Sequence, residues 1–359
     1  MMHMNARTFA VAQIVGSLDV GGTEATAVAF ANALARRGLA SHLVSLREGG
    51  ELAAKVDPRC IGRVRSYLRR NHITVAHCHG RSPAYILTVL RCFTGLRCVL
   101  AFHDHFGTVG DFPGYQLLDS ILLRGVDMYY AVSRPLQARA KRLLGMTDNV
   151  CQFIPNGVEA SQHPHRFTQG HMVIQVGNIL PVKDHDTALR AAAILRQHVP
   201  DLRWLCIGHM RDHVADHVRS LMRTREQLGL TDCVEFLGLR ADVPDLLKQA
   251  DVGVMTSRME ALPVALLEYM AEGLPTVVTA VGECGSIVQA AQCGLVAAPG
   301  DAEAIAAHLQ AILTDRERAS RLGEAGRAYV MRHYSLDAIA DRIEKTYRKL
   351  LRQRGLSPR

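Results

Sequence analysis

Two glutamates, Glu260 and Glu268, stand eight positions apart on either side of a predicted helix start. Pro263 suits the first turn of a helix, where its missing N–H group needs no partner, so a helix is predicted from about Pro263 to Ala271. The apolar run ADVGVM at 250–255 is typical of a buried parallel strand. Glu260 then lies in the loop after the strand, and Glu268 lies one and a half turns into the helix. In open α/β sheets such a loop binds ligands, and the helix N-terminus favours anions or hydroxyl groups.

The segment 255–275 resembles the E-x7-E signature of retaining, nucleotide-sugar-dependent glycosyltransferases with the GT-B fold, the glycosyl transferases of group 1. The usual form is S-x-x-E-G-x-P-x-x-x-x-E-A-M-A-x-G-x-P, and here its positions hold Ser257, Glu260, Ala261, Pro263, Glu268, Tyr269, Met270, Ala271, Gly273 and Pro275. Ala261 replaces the usual glycine, and Tyr269 replaces the usual alanine. The resemblance implies that Glu268 accepts hydrogen bonds from the nucleotide ribose. It also implies that Glu260, as a catalytic residue, holds the sugar hydroxyls together with Ala261 and Leu262.

A second cluster, VGNILPVKDH at 176–185, follows another predicted strand. The family pattern is V-G-R-L with a lysine five or six residues later, and its arginine and lysine are implied to bind the donor diphosphate. Lys183 matches this pattern, whereas Asn178 stands where the arginine is usual and is implied to be a weaker diphosphate ligand. Lys183 is also implied to be catalytic, because it stabilises the diphosphate as it leaves.

Asp184, His185 and Asp186 have the letters of a D-x-D metal motif, but they fall where a helix should begin. An acidic residue at such a point is more typical of an N-cap or a first helical turn. Because Lys183 supplies positive charge to the diphosphate, we expect no metal ion and no cofactor other than the nucleoside-diphosphate sugar, which is the donor substrate.

Gly16, Gly21 and Gly22 follow the first predicted strand and open the first predicted helix. Glycine lets a backbone turn sharply and approach a phosphate, and the helix N-terminus then donates N–H groups. The pattern is not G-x-G-x-x-G and no clear acidic residue ends the second strand, so a nicotinamide cofactor is disfavoured. Family members carry a similar glycine pair, which implies that Gly21 and Gly22 contact the donor diphosphate. A plain tight turn is the alternative.

Several of the 17 histidines have the spacing of metal ligands: His77 with His79, His103 with His105, and the stripe of His209, His213 and His217. Loop and surface histidines are the simpler interpretation of all three groups. His103 differs from these histidines, because the segment AFHDH is predicted to end a strand at the cleft. The resemblance implies that His103 is a catalytic residue near the transferred sugar, and that Asp104 lies on the acceptor side.

The length of 359 residues favours two domains, and 48% hydrophobic with 21% charged residues is typical of a globular protein with an ample core. The sequence contains no run of about 18 uncharged apolar residues, so a transmembrane helix is not expected. The N-terminal stretch is predicted to be a first strand rather than a signal peptide. Nine cysteines, an odd number without C-x-x-C, argue against a disulfide framework or a zinc ribbon and favour a reducing cytosol.

The net charge of +8 lies in the amino-terminal half, since residues 1–157 hold 18 Lys and Arg against 10 Asp and Glu, whereas residues 158–359 hold 24 against 24. With 5% aromatic residues and no RNA-binding motif, nucleic acid is not the expected partner. An anionic membrane surface is predicted instead, which makes the protein cytoplasmic and peripheral on the inner face of the plasma membrane. The candidate is a basic helix at 57–72, with Arg59, Arg63, Arg65, Arg69 and Arg70 around Ile61, Val64 and Leu68. A solvated helix face is the alternative.

Strand-like runs alternate with helical patterns through both halves, which predicts parallel sheets covered by helices. The predicted fold is α/β, GT-B, with two doubly wound Rossmann-like lobes facing a central cleft and helices at the C-terminus. The predicted domains are an acceptor-side lobe at 1–165, a nucleotide-sugar lobe at 166–334, and a helix at 335–359 that returns to the first lobe, with a polar linker at 162–170. The implied function is retaining transfer of a sugar from a nucleoside-diphosphate sugar to a glycan or polyprenyl-linked acceptor in cell-surface polysaccharide synthesis. Asn178, Ala261 and Ser286 depart from the family pattern, so a non-catalytic nucleotide-sugar-binding protein and an epimerase of the same fold are the alternatives.

Overall fold

The chain forms two compact units in the computed structural model, which describes residues 9–18, 21–46, 58–105, 113–159, 165, 170–210 and 214–356. The amino-terminal unit comprises Met1–Gly157 with Leu336–Arg359, and the carboxyl-terminal unit comprises Val158–Ser335. The first boundary therefore falls at residue 157 rather than at the predicted 165. Most of the predicted linker at 162–170 lies outside the described residues.

Regular structure accounts for most of both units. The strands are β1 (Ala10–Val15), β2 (Ala40–Ser45), β3 (Ile73–His79), β4 (Val99–Asp104), β5 (Met128–Ala131), β6 (Cys151–Phe153), β7 (His171–Val176), β8 (Leu202–Ile207), β9 (Val234–Gly238), β10 (Val252–Met255), β11 (Thr276–Thr279) and β12 (Gly294–Ala297). The helices are α1 (Gly22–Arg36), α2 (Pro58–Arg70), α3 (Arg81–Thr94), α4 (Pro113–Leu122), α5 (Arg134–Leu144), α6 (His185–Arg196), α7 (Ala215–Gln227), α8 (Val243–Gln249), α9 (Val264–Glu272), α10 (Cys284–Ala291), α11 (Ala302–Leu313), α12 (Arg316–His333) and α13 (Leu336–Gln353).

The amino-terminal unit is built on a six-stranded sheet in the order β2-β1-β3-β4-β5-β6, with every pairing parallel. β3, β4 and β5 are buried almost throughout, as expected for apolar strands covered on both faces. The chain winds in one direction through β1 and β2 and in the other from β3 onward. Right-handed crossovers therefore place α1 on one face of the sheet and α2 to α5 on the other.

α13 joins the face that carries α1. It packs against α1, β3 and β4, and its apolar side chains complete a core that includes Phe30, Val75, Tyr130 and Tyr347. Gly157 ends this part of the chain where a Cβ atom would lie 2.9 Å from the Cα of Leu336, so only glycine allows this approach. The C-terminal helix thus belongs to the amino-terminal unit, and it begins one residue later than predicted.

The carboxyl-terminal unit has a second six-stranded parallel sheet, in the order β12-β11-β10-β7-β8-β9. Numbered from its own first strand, this is the 3-2-1-4-5-6 order of dinucleotide-binding folds, whereas the amino-terminal unit has the order 2-1-3-4-5-6. Trp204 and Leu221 lie in its main apolar cluster, which also contains residues of α6 and α11. The predicted pair of doubly wound α/β lobes is therefore confirmed, with a different strand order in each.

Candidate active site

The carboxyl-terminal unit reverses its winding between β7 and β10, which are neighbours in the sheet although they are far apart in the chain. In open α/β sheets the carboxyl ends of the two strands at such a reversal form the crevice that binds ligands. The loop after β7 carries Asn178 and Lys183, and the loop after β10 carries Glu260. The strand order therefore brings two of the predicted clusters to one point.

Lys183 and Glu260 form an ion pair between Nζ and Oε1. Ser257 donates a hydrogen bond from Oγ to the same carboxylate oxygen at 2.7 Å. The side chains of Lys183 and Glu260 are 22% and 10% exposed, so the pair is sheltered but can still be reached from solvent. This arrangement places a cation suited to a phosphate beside an anion suited to sugar hydroxyls.

The backbone of the Lys183 loop is held against the strand that leads to Glu260. The Oγ1 hydroxyl of the fully buried Thr256 lies 2.9 Å from the carbonyl oxygen of Lys183 and 3.0 Å from that of Asp184. The same hydroxyl accepts a hydrogen bond from Gln175 Nε2 at 3.0 Å. These contacts fix the relative positions of the two loops independently of any ligand, which is the preorganisation that electrostatic catalysis requires.

Asp184 is the N-cap residue of α6, and Asp186 lies in the first turn of the same helix. Asp184 is 3% exposed, its backbone is left-handed at φ 51°, and its Oδ2 accepts hydrogen bonds from Thr187 Oγ1 at 2.8 Å and from Arg258 Nε at 2.9 Å. The prediction that the acids of this D-x-D sequence belong to a helix start is confirmed. Asp184 caps the helix and binds the guanidinium of Arg258.

Glu268 lies half-buried in the second turn of α9. Burial raises the pKa of its carboxyl above the ordinary value. Within the described parts of the chain, no side chain or backbone group donates a hydrogen bond to this carboxylate. A sheltered carboxylate of this kind is stabilised by ligand hydroxyl groups, as the predicted contact with the ribose would require. Pro263 is the N-cap residue of α9 rather than a residue of its first turn.

Tyr269, which departs from the family pattern, is accommodated by the neighbouring strands. Its ring is fully buried, and its hydroxyl accepts a hydrogen bond at 2.6 Å from the N–H of Val176 at the end of β7. A Cβ atom at Gly253 would lie 2.4 Å from the Tyr269 ring, so glycine in β10 provides the room for this side chain. The tyrosine therefore anchors α9 to the strand that leads to the Lys183 loop.

Ala261 and Leu262 are 8% and 4% exposed, so their side chains point into the protein. The carbonyl oxygen of Ala261 accepts a hydrogen bond from the N–H of Glu283 at 3.1 Å. Gly282 packs directly on this loop at φ 52°, where an added Cβ atom would lie 2.1 Å from the carbonyl oxygen of Glu260. Contacts of Ala261 and Leu262 with sugar hydroxyls, which stay a prediction, would have to come from the backbone.

Asn178 is half-buried and connects two loops of the same crevice. Its Oδ1 accepts a hydrogen bond from the N–H of His209, in the loop after β8, at 3.2 Å. A Cβ atom at Gly208 would lie 2.0 Å from the carbonyl oxygen of Gly177, so these loops approach each other as closely as backbone allows. Asn178 thus lies on the same loop as Lys183, and its contact with a diphosphate stays a prediction.

The glycine loop of the amino-terminal unit follows β1, at the point where that sheet reverses its winding. Gly16 directly follows β1, Gly21 is the N-cap residue of α1 and Gly22 begins the helix, while residues 19–20 lie outside the described part of the chain. The carboxylate of Glu24 lies over Gly21, since a Cβ atom there would be 2.6 Å from Glu24 Oε2. This negative charge would oppose a diphosphate at Gly21, and the contact of Gly21 and Gly22 with the donor stays a prediction.

His103 and Asp104 do not lie at an accessible surface. Both are 0% exposed at the end of β4, where His103 Nε2 donates to the carbonyl oxygen of Ile154 at 2.9 Å and Asp104 Oδ2 accepts from the Tyr129 hydroxyl at 2.5 Å. Burial lowers the pKa of His103 to about 4. Both side chains are therefore part of the interior in this structure. The catalytic role of His103 near the transferred sugar and the acceptor-side position of Asp104 stay predictions.

The neighbouring histidines are also buried, which corrects their interpretation as loop and surface residues. His77 and His79 lie in β3 at 0% and 2% exposure, and burial together with neighbouring histidines lowers the pKa of each. His77 shares a hydrogen bond with the Tyr347 hydroxyl, and His79 contacts Gln13 Oε1 at 2.7 Å. His209 and His217 lie within the described residues, whereas His213 lies outside them.

These histidines include the only candidate metal ligands that the described residues bring together. One ring nitrogen each from His77, His79 and His103 lies within 4.8 Å of the others. The group contains no carboxylate, so a divalent cation would remain uncompensated in the core. Each ring already has a hydrogen-bond partner, and we therefore interpret the cluster as a network of neutral imidazoles.

Two family models together match most of the chain. "Glycosyltransferase Family 4" matches residues 20–162, and "Glycosyl transferases group 1" matches residues 159–329, including both the Lys183 and the Glu260 loops. The chain belongs to the group 1 glycosyltransferases. The second match covers the unit in which the ion pair and Glu268 lie.

Relatives of this glycosyltransferase are 24% to 31% identical to it within the aligned regions. A D-inositol 3-phosphate glycosyltransferase of Stackebrandtia nassauensis is 31% identical over 51% of this chain and 42% of its own length. A GDP-mannose-dependent α-(1-6)-phosphatidylinositol monomannoside mannosyltransferase of Mycobacterium tuberculosis is 24% identical over 78% of this chain and 77% of its own. The chain thus spans less than half the length of several of the relatives it matches.

Solved structures of glycosyltransferases share the fold across nearly the whole chain. The sucrose-phosphate synthase of Thermosynechococcus elongatus superposes with a TM-score of 0.82 at 20% identity, covering 96% of this chain and 100% of that one. Anabaena HepE in complex with UDP and glucose superposes with a TM-score of 0.79 at 17% identity, covering 94% and 98%. The GT-B fold class is thereby established. The described part of the glycosyltransferase contains no helix long and apolar enough to span a bilayer.

Sequence reasoning did not assign roles to Ser257, Thr256 and Arg258. Ser257 occupies a position of the family signature, and Thr256 and Ser257 together end the β10 segment in two hydroxyl residues. Hydroxyl side chains directly after an apolar strand are a usable signal, because they can bond to the loops of neighbouring strands. Arg258 carries no such signal, since its bond to Asp184 joins positions 74 apart in the sequence.

Proposed function

We propose that this glycosyltransferase moves a sugar from a nucleoside-diphosphate sugar to a glycan or polyprenyl-linked acceptor, with retention of configuration, in cell-surface polysaccharide synthesis. The observation that carries the proposal is the Lys183–Glu260 ion pair at the winding reversal of a dinucleotide-type sheet. Glu268 adds a sheltered carboxylate on the helix that follows. The named activities of the relatives support the reaction class, and the lipid-linked acceptor named for the mycobacterial relative supports the acceptor class.

The proposed roles follow from charge. Lys183 neutralises the diphosphate as it leaves with growing negative charge, an interaction that strengthens toward the transition state. Glu260, released from Lys183 by that phosphate, accepts hydrogen bonds from the sugar hydroxyls. Glu268 accepts hydrogen bonds from the ribose. No divalent cation enters this scheme, because the lysine and the loop N–H groups supply the positive potential.

A panel of nucleotide sugars tests the proposal. The donor that raises the melting temperature of the protein should also release free nucleoside diphosphate, faster with a lipid-linked or glycan acceptor than without one. The anomeric configuration of the product, read by NMR, tests retention. Activity should persist in excess EDTA, and loss of turnover that Mn²⁺ or Mg²⁺ restores would exclude the metal-free scheme.

A non-catalytic nucleotide-sugar-binding protein is the second candidate, and Asn178 favours it because one of the two expected diphosphate cations is missing. Such a protein would be stabilised by a donor but would release no nucleoside diphosphate with any acceptor. An epimerase would convert the sugar of the donor without an acceptor, and the same NMR measurement would detect this. We also propose that the protein is cytoplasmic and that its basic amino-terminal half associates with an anionic membrane surface.

A further inference from the structure

The positive charge of the amino-terminal unit is concentrated in one layer of helices. The segments α2 to α5 contain 11 Arg and Lys residues and a single acid, Asp119. Asp119 is 1% exposed and pairs with Arg81, so it contributes no negative surface. On the opposite face of the sheet, α1 and α13 contain acidic and basic residues together. The layer formed by α2 to α5 is therefore the strongly cationic face of this unit.

The four helices of this layer run in the same direction, because each follows a strand of one parallel sheet. Their carboxyl-terminal ends consequently lie along one edge, which we call the helix-end row. Arg69 donates to the carbonyl oxygen of Thr94 at 3.3 Å, which connects the ends of α2 and α3. Arg124 donates to the carbonyl oxygen of Leu144 at 3.0 Å, which connects the segment after α4 with the end of α5. The row is thus continuous.

Large apolar side chains are exposed along the same row. Phe93, Ile121 and Leu143 are the penultimate residues of α3, α4 and α5, and they are 85%, 60% and 40% exposed. With Leu117, Leu118 and Val89 on the same helices, this layer holds six of the twelve exposed large apolar side chains found among the described residues. Single exposed apolar residues need no explanation, but a group of them on one cationic layer indicates an interaction surface.

Among its described side chains, α2 contributes charge to this surface but no large exposed apolar group. Val64 and Leu68, predicted to face a bilayer, are 5% and 1% exposed and pack into the unit itself. Arg69 and Arg70, in its last turn, are exposed at the row. From residue 62 onward, the predicted membrane helix therefore presents its arginines without a large exposed apolar side chain, and the described apolar part of the docking surface comes from α3, α4 and α5. The side chain of Ile61 lies outside the described residues.

We propose that the helix-end row docks on an anionic lipid bilayer, with Phe93, Ile121 and Leu143 inserted at the boundary between headgroups and acyl chains. The surrounding arginines and lysines then lie at the depth of the lipid phosphates, where opposite charge complements them. The occupant is a bilayer rather than a protein groove because the apolar residues are separated along an edge and interleaved with cations such as Arg142. This inference deepens the membrane association proposed above.

Vesicle binding tests the inference. The whole protein should co-sediment with vesicles of phosphatidylglycerol and phosphatidylcholine, and far less with phosphatidylcholine alone. The double variant Phe93→Ser and Ile121→Ser removes two exposed apolar groups without changing net charge, and should weaken binding at least about tenfold. The double variant Arg70→Gln and Arg142→Gln should weaken binding several-fold at low salt and abolish most of the preference for phosphatidylglycerol.

The matched control is Leu228→Ser with Leu239→Ser, because these residues are 38% and 49% exposed in the carboxyl-terminal unit, which holds 17 Lys and Arg against 21 Asp and Glu and is therefore net acidic. This variant should bind vesicles like the unmodified protein. The inference would be overturned if the Phe93→Ser and Ile121→Ser double variant bound vesicles as well as the unmodified protein. It would also be overturned if the unmodified protein bound both vesicle types equally. Concentration-dependent self-association that Phe93→Ser abolishes would assign the row to a second copy of the chain instead.

Titration of the same preparations with UDP and GDP, and nucleoside-diphosphate release with acceptor, keep the two proposals separate. Normal nucleotide binding and release in a protein that ignores anionic vesicles would refute the docking surface alone. Anionic vesicle binding without any release would refute the transferase proposal alone.

Discussion

The substitution Glu268→Gln separates a ligand-binding carboxylate from a structural one. Burial raises the pKa of Glu268, so its ionised form is less stable in the folded protein than in the unfolded chain. An acid with a raised folded-state pKa lowers the free energy of unfolding above its unfolded pKa, and this penalty disappears as the pH falls through the folded value. Glutamine keeps the size of the side chain and removes the charge. The substitution should therefore stabilise the protein at pH 7.

The expected magnitudes have opposite signs for stability and for binding. Removing a charge that is kept for function commonly raises the free energy of unfolding by about 0.5–2 kcal/mol. For a unit of this size, each kcal/mol raises the melting temperature by about 2–4 °C. Losing the charge from hydrogen bonds worth about 1.5–3 kcal/mol should weaken nucleotide binding by about 1–2 kcal/mol, or about 5- to 30-fold. Donor and free nucleoside diphosphate should lose affinity equally, because both contain the ribose.

Differential scanning fluorimetry and calorimetric titration with UDP, GDP and the intact donor measure both effects. Glu260→Gln is the control, because Glu260 pairs with Lys183 and is assigned to the sugar. It should leave nucleoside-diphosphate affinity unchanged or tighter, since Lys183 loses a competing anion, while turnover falls at least about tenfold, or about 1.4 kcal/mol of barrier. A lower melting temperature in Glu268→Gln, or equal loss of nucleotide affinity in both variants, would refute the assignment.

Three further substitutions test the surroundings of the pair. Asn178→Arg should tighten UDP or GDP binding in calorimetry at low salt, because a second charge-assisted contact is worth about 1.5–3 kcal/mol before desolvation, and unchanged affinity would place residue 178 away from the diphosphate. Thr256→Val should lower the free energy of unfolding in urea by about 1–3 kcal/mol and reduce kcat more than it raises KM, since it releases the Lys183 loop; an unchanged kcat would contradict its positioning role. Burial lowers the pKa of His185 from 6.5 to about 4. The free energy of unfolding should therefore fall by up to about 3 kcal/mol as the pH drops from 6.5 toward 4, because the unfolded chain binds the proton first. Urea denaturation at pH 7 and pH 5 should show a smaller pH dependence for His185→Gln than for the unmodified protein.

Local features of the sequence predicted the elements and the motif with little help from tertiary structure. The signals for strands and helices are local: apolar runs, helical periodicity, and the glycines or prolines that end an element. The alternation of strands and helices could therefore be deduced along the chain. The assignment of Asp184 to a helix start followed for the same reason, since an N-cap acts within one turn. Glu260 and Glu268 were placed correctly before and within α9, because Pro263 marks the start of that helix.

The amino-acid sequence by itself determined the order and type of the elements, their approximate extent and the motif that the chain carries. Only the tertiary structure decided which of them meet, because contacts between distant segments depend on strand order. It joined Lys183 to Glu260 across 77 positions, and it turned Val64 and Leu68 of α2 inward. It also buried His103, whose polar side chain suggested an accessible site while its strand lies in the middle of a sheet covered on both faces. Periodicity shows that a residue faces one side of its element, but only packing decides whether that side is covered.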